Sequence, residues 1–226
     1  MTRRLILKPG RDVPVRRGHP WVFSGAIARD EGAAEGDEAD VVSAQGQFLG
    51  RATVQERSDI RGRLFDTQPG ATLDAAGLRE RIARARRRRE AWLGADPEPA
   101  GQRLVFSESD GLPGLIADRY GATLVVQFLT ASMARRREAV LAALAEVWQP
   151  AAVWERSDAE AVKLEGLEPR SGLVSGAAPA GPVEFMENGI RFLADLEHGH
   201  KTGFYLDQRA GRAAVAAWVA RSGAKR

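Results

Sequence analysis

The densest run of chemistry-bearing side chains in this 226-residue chain is Gly199-His200-Lys201-Thr202-Gly203-Phe204-Tyr205-Leu206-Asp207-Gln208-Arg209. A glycine-bounded loop carrying Lys201 and Thr202, feeding a helix capped by Asp207, offers backbone N–H groups and a cation to an anionic ligand. The same residues admit a structural reading, in which Phe204, Tyr205 and Leu206 pin the last helix to a sheet and Asp207 only caps it. Just upstream, His198 and Glu197 adjoin this run. His198 and His200 form an H-x-H pair with no well-spaced third ligand, so no metal site is expected. Nucleophilic catalysis has no better footing: there is no G-x-S-x-G elbow, and Ser107-Glu108-Ser109-Asp110 has no histidine near it in sequence. Phosphate-cradling and dinucleotide fingerprints are absent too. An independent enzyme built on His198, His200, Lys201 and Asp207 stands only as a third reading.

The elements around these residues fall into three stretches. From Leu5 to Asp66 the pattern is short and β-like: Val41-Val42, a Gln45-Gly46 turn, then Phe48-Leu49 and Ala52-Thr53-Val54 predict a hairpin, and Ile60 to Phe65 alternates. A small β-rich barrel of about 70 residues is expected. Asp74 then caps a predicted helix with Leu78, Ile82, Ala85 and Trp92 at helical spacing. Asp96 to Gly101 reads as a linker. Strands return from Arg103, with a hairpin over Leu115 to Asp118 and Leu124 to Phe128, a helix from about Ser132 to Trp148, and a strand at Ala152 to Glu155. Ser175 to Gly181 reads as a second linker. Val183 to Met186 and Ile190 to Leu193 flank Asn188-Gly189, a dipeptide suited to a two-residue turn. One last amphipathic helix follows, over about residues 206–221.

Charge narrows the partners. Of 33 basic residues only four are lysines, so 29 are arginines, and the formal charge of +3 hides their clustering. Arg3, Arg4, Lys8, Arg11, Arg16, Arg17 and Arg29 face only Asp12 and Asp30 across the first thirty residues, a local excess that favours an anionic partner. Seven arginines, Arg79, Arg81, Arg84 and Arg86 to Arg89, sit on the helix after Asp74. They read either as a solvated charged face or as a phosphate-contacting surface, since cations in a block repel one another until something neutralises them. The chain has no cysteine, hence no disulfide, thiolate zinc site or cysteine nucleophile. With no signal-peptide core and no long apolar run, a soluble cytoplasmic protein is expected.

Read in order, the segments Gly18-His19-Pro20-Trp21-Val22-Phe23-Ser24-Gly25-Ala26, Gly46 to Arg51, Glu108 to Gly121, Trp154-Glu155-Arg156-Ser157-Asp158, Glu165-Gly166-Leu167 and the run at 199–209 resemble a known family. It is the bacterial large-subunit (23S) ribosomal RNA methyltransferases acting on carbon 5 of cytosine, and the resemblance extends over essentially the whole chain. It implies an α+β protein: an N-terminal PUA-like β-barrel over 1–70, a central mixed α/β domain over 74–175, and over 182–226 a β-hairpin and helix that begin a Rossmann-like methyltransferase domain, here truncated. It also implies ribosomal RNA as partner and S-adenosylmethionine as cofactor of the complete enzyme.

By that resemblance, Gln208, Lys201, Thr202 and Tyr205 border the cofactor pocket. Arg16, Arg17, His19, Trp21 and Arg51 would contact RNA through the PUA region, and the charge pattern adds Arg86, Arg87, Arg88 and Arg89. Trp21 and Phe23 have the competing reading of core residues. Carbon 5 of cytosine is a poor nucleophile, and enzymes of this kind first add a cysteine thiolate to the ring. A chain without cysteine, and without the Gly-rich turn that approaches the cofactor, is expected to recognise RNA, to bind S-adenosylmethionine poorly and to be inactive alone. No membrane or metal is expected as a partner, and a homodimer is left open. The other reading is a free-standing PUA-type RNA-binding protein.

Overall fold

The computed structural model of the protein describes residues 3–93, 101–158 and 160–222. The linker expected at Asp96 to Gly101 lies, apart from Gly101, outside the described residues. Three sheets follow one another along the chain.

The first is a curled six-stranded sheet in the order β2-β6-β5-β4-β1-β3. Its elements are β1 (Arg4–Leu7), α1 (Val13–Arg16), β2 (Trp21–Phe23), β3 (Ile27–Glu31), β4 (Glu38–Val42), β5 (Phe48–Val54) and β6 (Ile60–Asp66). The expected hairpin is the β4–β5 pair, joined through the turn at Gly46. What local pattern did not reveal is that β1 pairs with two distant strands, antiparallel to β3 and parallel to β4. Leu5 and Leu7 from β1 are fully buried, with Val22, Val41, Ala52 and Val54. Side chains alternate across a pleated strand, so this set fills the concave side of the curl.

Helix α2 (Ala75–Leu93) starts where Asp74 Oδ1 accepts the Gly77 N–H at 2.8 Å, the expected cap. Its Leu78 and Ile82 are fully buried and Ala85 nearly so. Each fully buried aliphatic side chain of that size contributes roughly 1.5–3 kcal/mol. They pack on the second sheet, ordered β11-β10-β9-β8-β7. Its strands are β7 (Gly101–Phe106), β8 (Leu115–Tyr120), β9 (Thr123–Phe128), β10 (Ala152–Ser157) and β11 (Arg170–Gly176). Between β9 and β10 run α3 (Ala131–Arg135) and α4 (Arg137–Trp148), and α5 (Glu160–Leu164) precedes β11. The single helix expected from Ser132 is therefore two, capped by Thr130 and broken at Arg136. The break has a cause: Arg136 reaches the Gly36 and Leu73 carbonyls and Glu38 Oε1 at 3.1, 3.1 and 2.7 Å.

The third sheet is the hairpin of β12 (Val183–Glu187) and β13 (Ile190–Ala194). Asn188 and Gly189 adopt φ of 53° and 75°, the left-handed pair that a two-residue turn demands. This hairpin covers the face of the second sheet opposite α2. Phe185 packs edge-on to Tyr120 at 5.3 Å and to Phe204 at 5.1 Å, with Val125, Trp154, Ala194 and Leu196 around them. The last helix, α6 (Arg209–Ser222), has no buried residue, and Val215 and Trp218 are more than 60% exposed. No helix among the described residues is long and apolar enough to cross a membrane.

Candidate functional site

The run at 199–209 is a loop stapled to the second sheet from beneath. Asp195 Oδ1 accepts the N–H groups of Glu197 and His198, both at 2.9 Å, which turns the chain out of β13. These two hydrogen bonds hold the Asp195 carboxyl below the usual carboxylate range. Gly199 has to be glycine: a Cβ there would lie 2.3 Å from the Asp195 carbonyl oxygen. The buried Arg156 donates to the Gly199 carbonyl at 2.6 Å.

Thr202 is the anchor. It is fully buried, donates its hydroxyl to Asp118 Oδ2 at 2.5 Å and lies 2.8 Å from the Tyr120 hydroxyl. Asp118 is itself clamped by the Arg103 guanidinium at 2.8 and 2.9 Å. Burial, followed by the negative charge of Asp118, pushes the Tyr120 phenol upward, so it serves as a neutral hydrogen-bonding group. This corrects the expectation for Thr202, which faces the sheet instead of a pocket.

Lys201 and Gln208 are exposed and Tyr205 is half-buried, forming a wall open to solvent. Lys201 takes φ of 56°, reaches Asp207 at 2.8 Å and lies 4.7 Å from the centre of the Tyr205 ring. The bond to Lys201 lowers the Asp207 carboxyl. Asp207 therefore binds Lys201 rather than capping the last helix. His200 leans on Tyr205 and His198 points toward Glu197, both exposed. Of the residues of the third reading, Lys201 and Asp207 pair with each other, while His198 is turned toward Glu197.

The arginines separate into two groups. Arg51 is buried, bonded to Glu38, Asp40 and the Ala71 carbonyl, so the expectation that it contacts RNA is corrected: its charge is consumed inside the fold. Arg89 is likewise held by both oxygens of the buried Asp110, at 2.5 and 2.7 Å. Arg86 bonds Glu90 and the Val147 carbonyl and lies over Trp148, and Arg87 bonds Glu80. Arg88 shares Asp110 at 3.2 Å and keeps its side chain 45% exposed.

On the curled sheet the picture reverses. Arg11, Arg17 and His19 are exposed, and neither Arg11 nor Arg17 has a carboxylate partner among the described residues. Arg16 is exposed but bound to Asp12 and Gln47. A cavity of about 430 Å³ opens beside them, lined by Arg11, Pro14, His19, Trp21 and Phe23 among others. His19, Trp21 and Phe23 form an aromatic triangle with ring centres about 6 Å apart. Phe23 is 46% exposed. Trp21, expected at the RNA, lines this cavity and is also tied toward the second sheet: its Nε1 donates to Glu108 at 2.8 Å and Arg63 lies over its ring. Arg11 belongs to the basic cluster read from the sequence but is not singled out there as an RNA contact, because nothing about it differs locally from its neighbours. Its lack of a partner is a property of the fold.

The seam between the first two sheets is ionic. Arg63 donates to Glu108 at 3.0 Å and to Glu165 at 3.4 Å, Arg81 pairs with Asp66, and Arg136 ties Glu38 to α4. Burial alone would raise the Glu108 carboxyl, but hydrogen bonds from Ser107, Trp21 and Arg63 bring it below its ordinary value. Glu165 is raised by its burial, against the pull of Arg63.

A curled sheet with a basic, aromatic-lined cleft is thus tied to an α/β sheet that presents a loop and a helix. Residues 5–67 match the PUA-like domain family. The whole chain is 41% identical over 220 residues to "Ribosomal RNA large subunit methyltransferase I" of Escherichia coli O157:H7, covering 97% of this chain and 55% of that protein. It is 42% identical, with the same coverage, to the protein of that description from Cronobacter sakazakii. A Streptococcus mutans structure provisionally assigned to the SAM-dependent methyltransferases superposes with a TM-score of 0.77 at 19% identity, covering 95% of this chain and 54% of that one. A second structure, provisionally assigned as a methyltransferase and complexed with SAH, has the same TM-score and identity and covers 94% and 52%. Over those 220 residues the chain is similar to proteins described as ribosomal RNA large subunit methyltransferase I. It spans about half the length of the curated relatives it matches.

Proposed function

We propose that these residues are the RNA-gripping and base-presenting part of an S-adenosylmethionine-dependent ribosomal RNA methyltransferase directed at carbon 5 of a cytosine. One observation carries the reading: in the PUA-like region Arg11 lines a cleft with the exposed Phe23, Arg17 at the end of α1 is exposed, and neither has a carboxylate partner among the described residues; phosphate contacts by such cations supply most sequence-independent RNA affinity. Residues 1–70, 74–175 and 182–226 act in this reading as RNA-binding, connecting and cofactor-facing units. The hairpin β12–β13 and α6 begin the methyltransferase domain, and the exposed apolar side of α6 fits a helix designed to be covered.

S-adenosylmethionine would supply the methyl group. Lys201, Tyr205 and Gln208 fit one wall of its site, since Lys201 and Gln208 are exposed and Tyr205 is half-buried while Thr202 fixes the loop from behind. They do not enclose a pocket by themselves, and the 226 residues hold no cysteine for the thiolate step. The chain alone is therefore inactive in our reading. The alternative of a PUA-only module is not favoured, because similarity to methyltransferases runs over 220 residues and the PUA-like match ends at residue 67.

The test is binding of structured ribosomal RNA as salt is raised. A steep fall in affinity is expected, flattened in Arg17→Ser, and a salt-independent signal would exclude the reading. Calorimetry with S-adenosylmethionine should give no isotherm at millimolar concentration. Radiolabelled methyl transfer to RNA by the 226 residues alone would overturn the inactive part of the proposal.

A further inference from the structure

We propose that the cavity between the C-terminal turns of α2, strand β7 and the turn into α6 is a second RNA site, one that takes a single unpaired nucleotide. The proposal rests on the RNA reading above and extends it to a surface distant in sequence from the PUA-like sheet. The cavity measures about 480 Å³, within the range of roughly 300–1,000 Å³ typical of small-ligand sites.

Its walls suit a nucleobase. Phe106 is 49% exposed and Trp92 is 84% exposed, an unusual state for two large aromatics, and Leu206 completes the apolar lining. Phe106 is also held ready: the Arg103 guanidinium lies 5.1 Å from its ring centre and is itself fixed by the fully buried Asp118. An aromatic ring of this kind stacks any base, because every base has a π-face.

Its rim suits a phosphate. Among the described residues, Asp110 accepts from two guanidiniums, those of Arg88 and Arg89, and so leaves one positive charge in excess. Asp118 cancels Arg103, and Lys201 cancels Asp207, the carboxylate that lines the cavity. Among the described residues Arg209 has only the neutral Asn188 Oδ1 as partner, at 3.1 and 3.2 Å, which adds a second. Two cations without counter-charge, placed beside two exposed aromatics, match a phosphate joined to a base. A neutral apolar peptide would leave both guanidiniums unanswered. The cavity also adjoins the 199–209 loop through Leu206, Asp207 and Arg209, so a nucleotide held here lies next to the proposed cofactor wall.

The experiment uses the 226-residue chain and a fluorescein-labelled, single-stranded hexaribonucleotide, with the same sequence as a duplex for comparison. Phe106→Ala is expected to weaken single-strand binding about tenfold, Phe106→Trp to restore it, and duplex binding to change little. Arg209→Ser should lower the slope of log affinity against log salt by about one. A 4-thiouridine in the strand should cross-link to the peptides holding Trp92 or Phe106. Both substituted side chains lie at the surface, and unchanged thermal midpoints confirm folding. If Phe106→Ala and Arg209→Ser bind as the parent does while Arg17→Ser is weakened, the cavity assignment falls and the PUA-like site stands. If S-adenosylmethionine blocks the cross-link, the cavity belongs to the cofactor and the proposal is overturned. If the chain binds no RNA at any salt, both readings fall together.

Discussion

Arginine is used in opposite ways on α2 and on the curled sheet. Along α2, Arg81 is buried against Asp66, Arg87 bonds Glu80, Arg86 bonds Glu90, and Arg89 is chelated by Asp110. On the sheet, Arg11 and Arg17 stand in solvent with no carboxylate among the described residues. The denser cluster is therefore the less available one. Density along a chain does not measure free charge. What decides is whether the fold brings a carboxylate to each guanidinium, and Asp110 arrives from more than twenty residues away.

The sharpest way to break this contrast is to remove Asp110. It is 3% exposed and also accepts the Phe106 N–H, so Asp110→Ala leaves Arg89 charged, half-enclosed and unanswered. A loss of about 3–5 kcal/mol is expected in urea unfolding, the cost of stranding one partner of a buried pair. A loss below 1 kcal/mol would mean that the α2 arginines are solvated after all. Asp118 is the equivalent hub beneath the 199–209 loop. There Thr202→Val should cost roughly 1–3 kcal/mol and speed hydrogen exchange over the loop, since a buried acceptor loses its donor.

Acid titration sharpens the comparison at the seam, where Arg63 meets two carboxylates shifted in opposite directions. Glu108 has a folded pKa below its unfolded one, so its stabilisation is complete above the ordinary carboxylate range and is lost as pH falls through the folded value. Glu165 has a raised pKa, so it costs stability above that value and the cost is relieved on acidification. Glu108→Gln should flatten the acid limb of the stability profile, and Glu165→Gln should steepen it. The smallest expected effect is the most direct check on availability. Arg87→Ser should change stability by less than about 0.5 kcal/mol and leave the RNA salt slope unaltered, whereas Arg17→Ser lowers that slope by about one.

Local chemistry made several elements legible. Asn188-Gly189 specifies its turn, Asp74 caps α2, and the alternation from Val41 to Val54 gives the β4–β5 hairpin. Each depends on residues within a few positions of one another. What was not legible depends on distance. β1 finds β4 across more than thirty residues, and Arg136 breaks a helix in order to reach Glu38 and Gly36. β11, whose last residues read as part of a linker because they are small, is ordered by a single neighbouring strand that it alone cannot announce: its register comes from β10. At the candidate site the pattern is the same. The 199–209 run stood out by composition, yet Thr202 faces inward because Asp118 and Tyr120, more than eighty residues earlier, wait beneath it.

The ionic seam through Glu108, Arg63 and Arg136, together with the Thr202 anchor, joins the cleft beside Arg11 and the 199–209 loop to opposite ends of one bracket. In the proposed reading that bracket would act as a caliper: a transcript gripped at the cleft would bring to the loop only those nucleotides that lie at a matching separation in its own folded shape, so the fit of two landmarks, more than the letters between them, would govern which molecule is accepted.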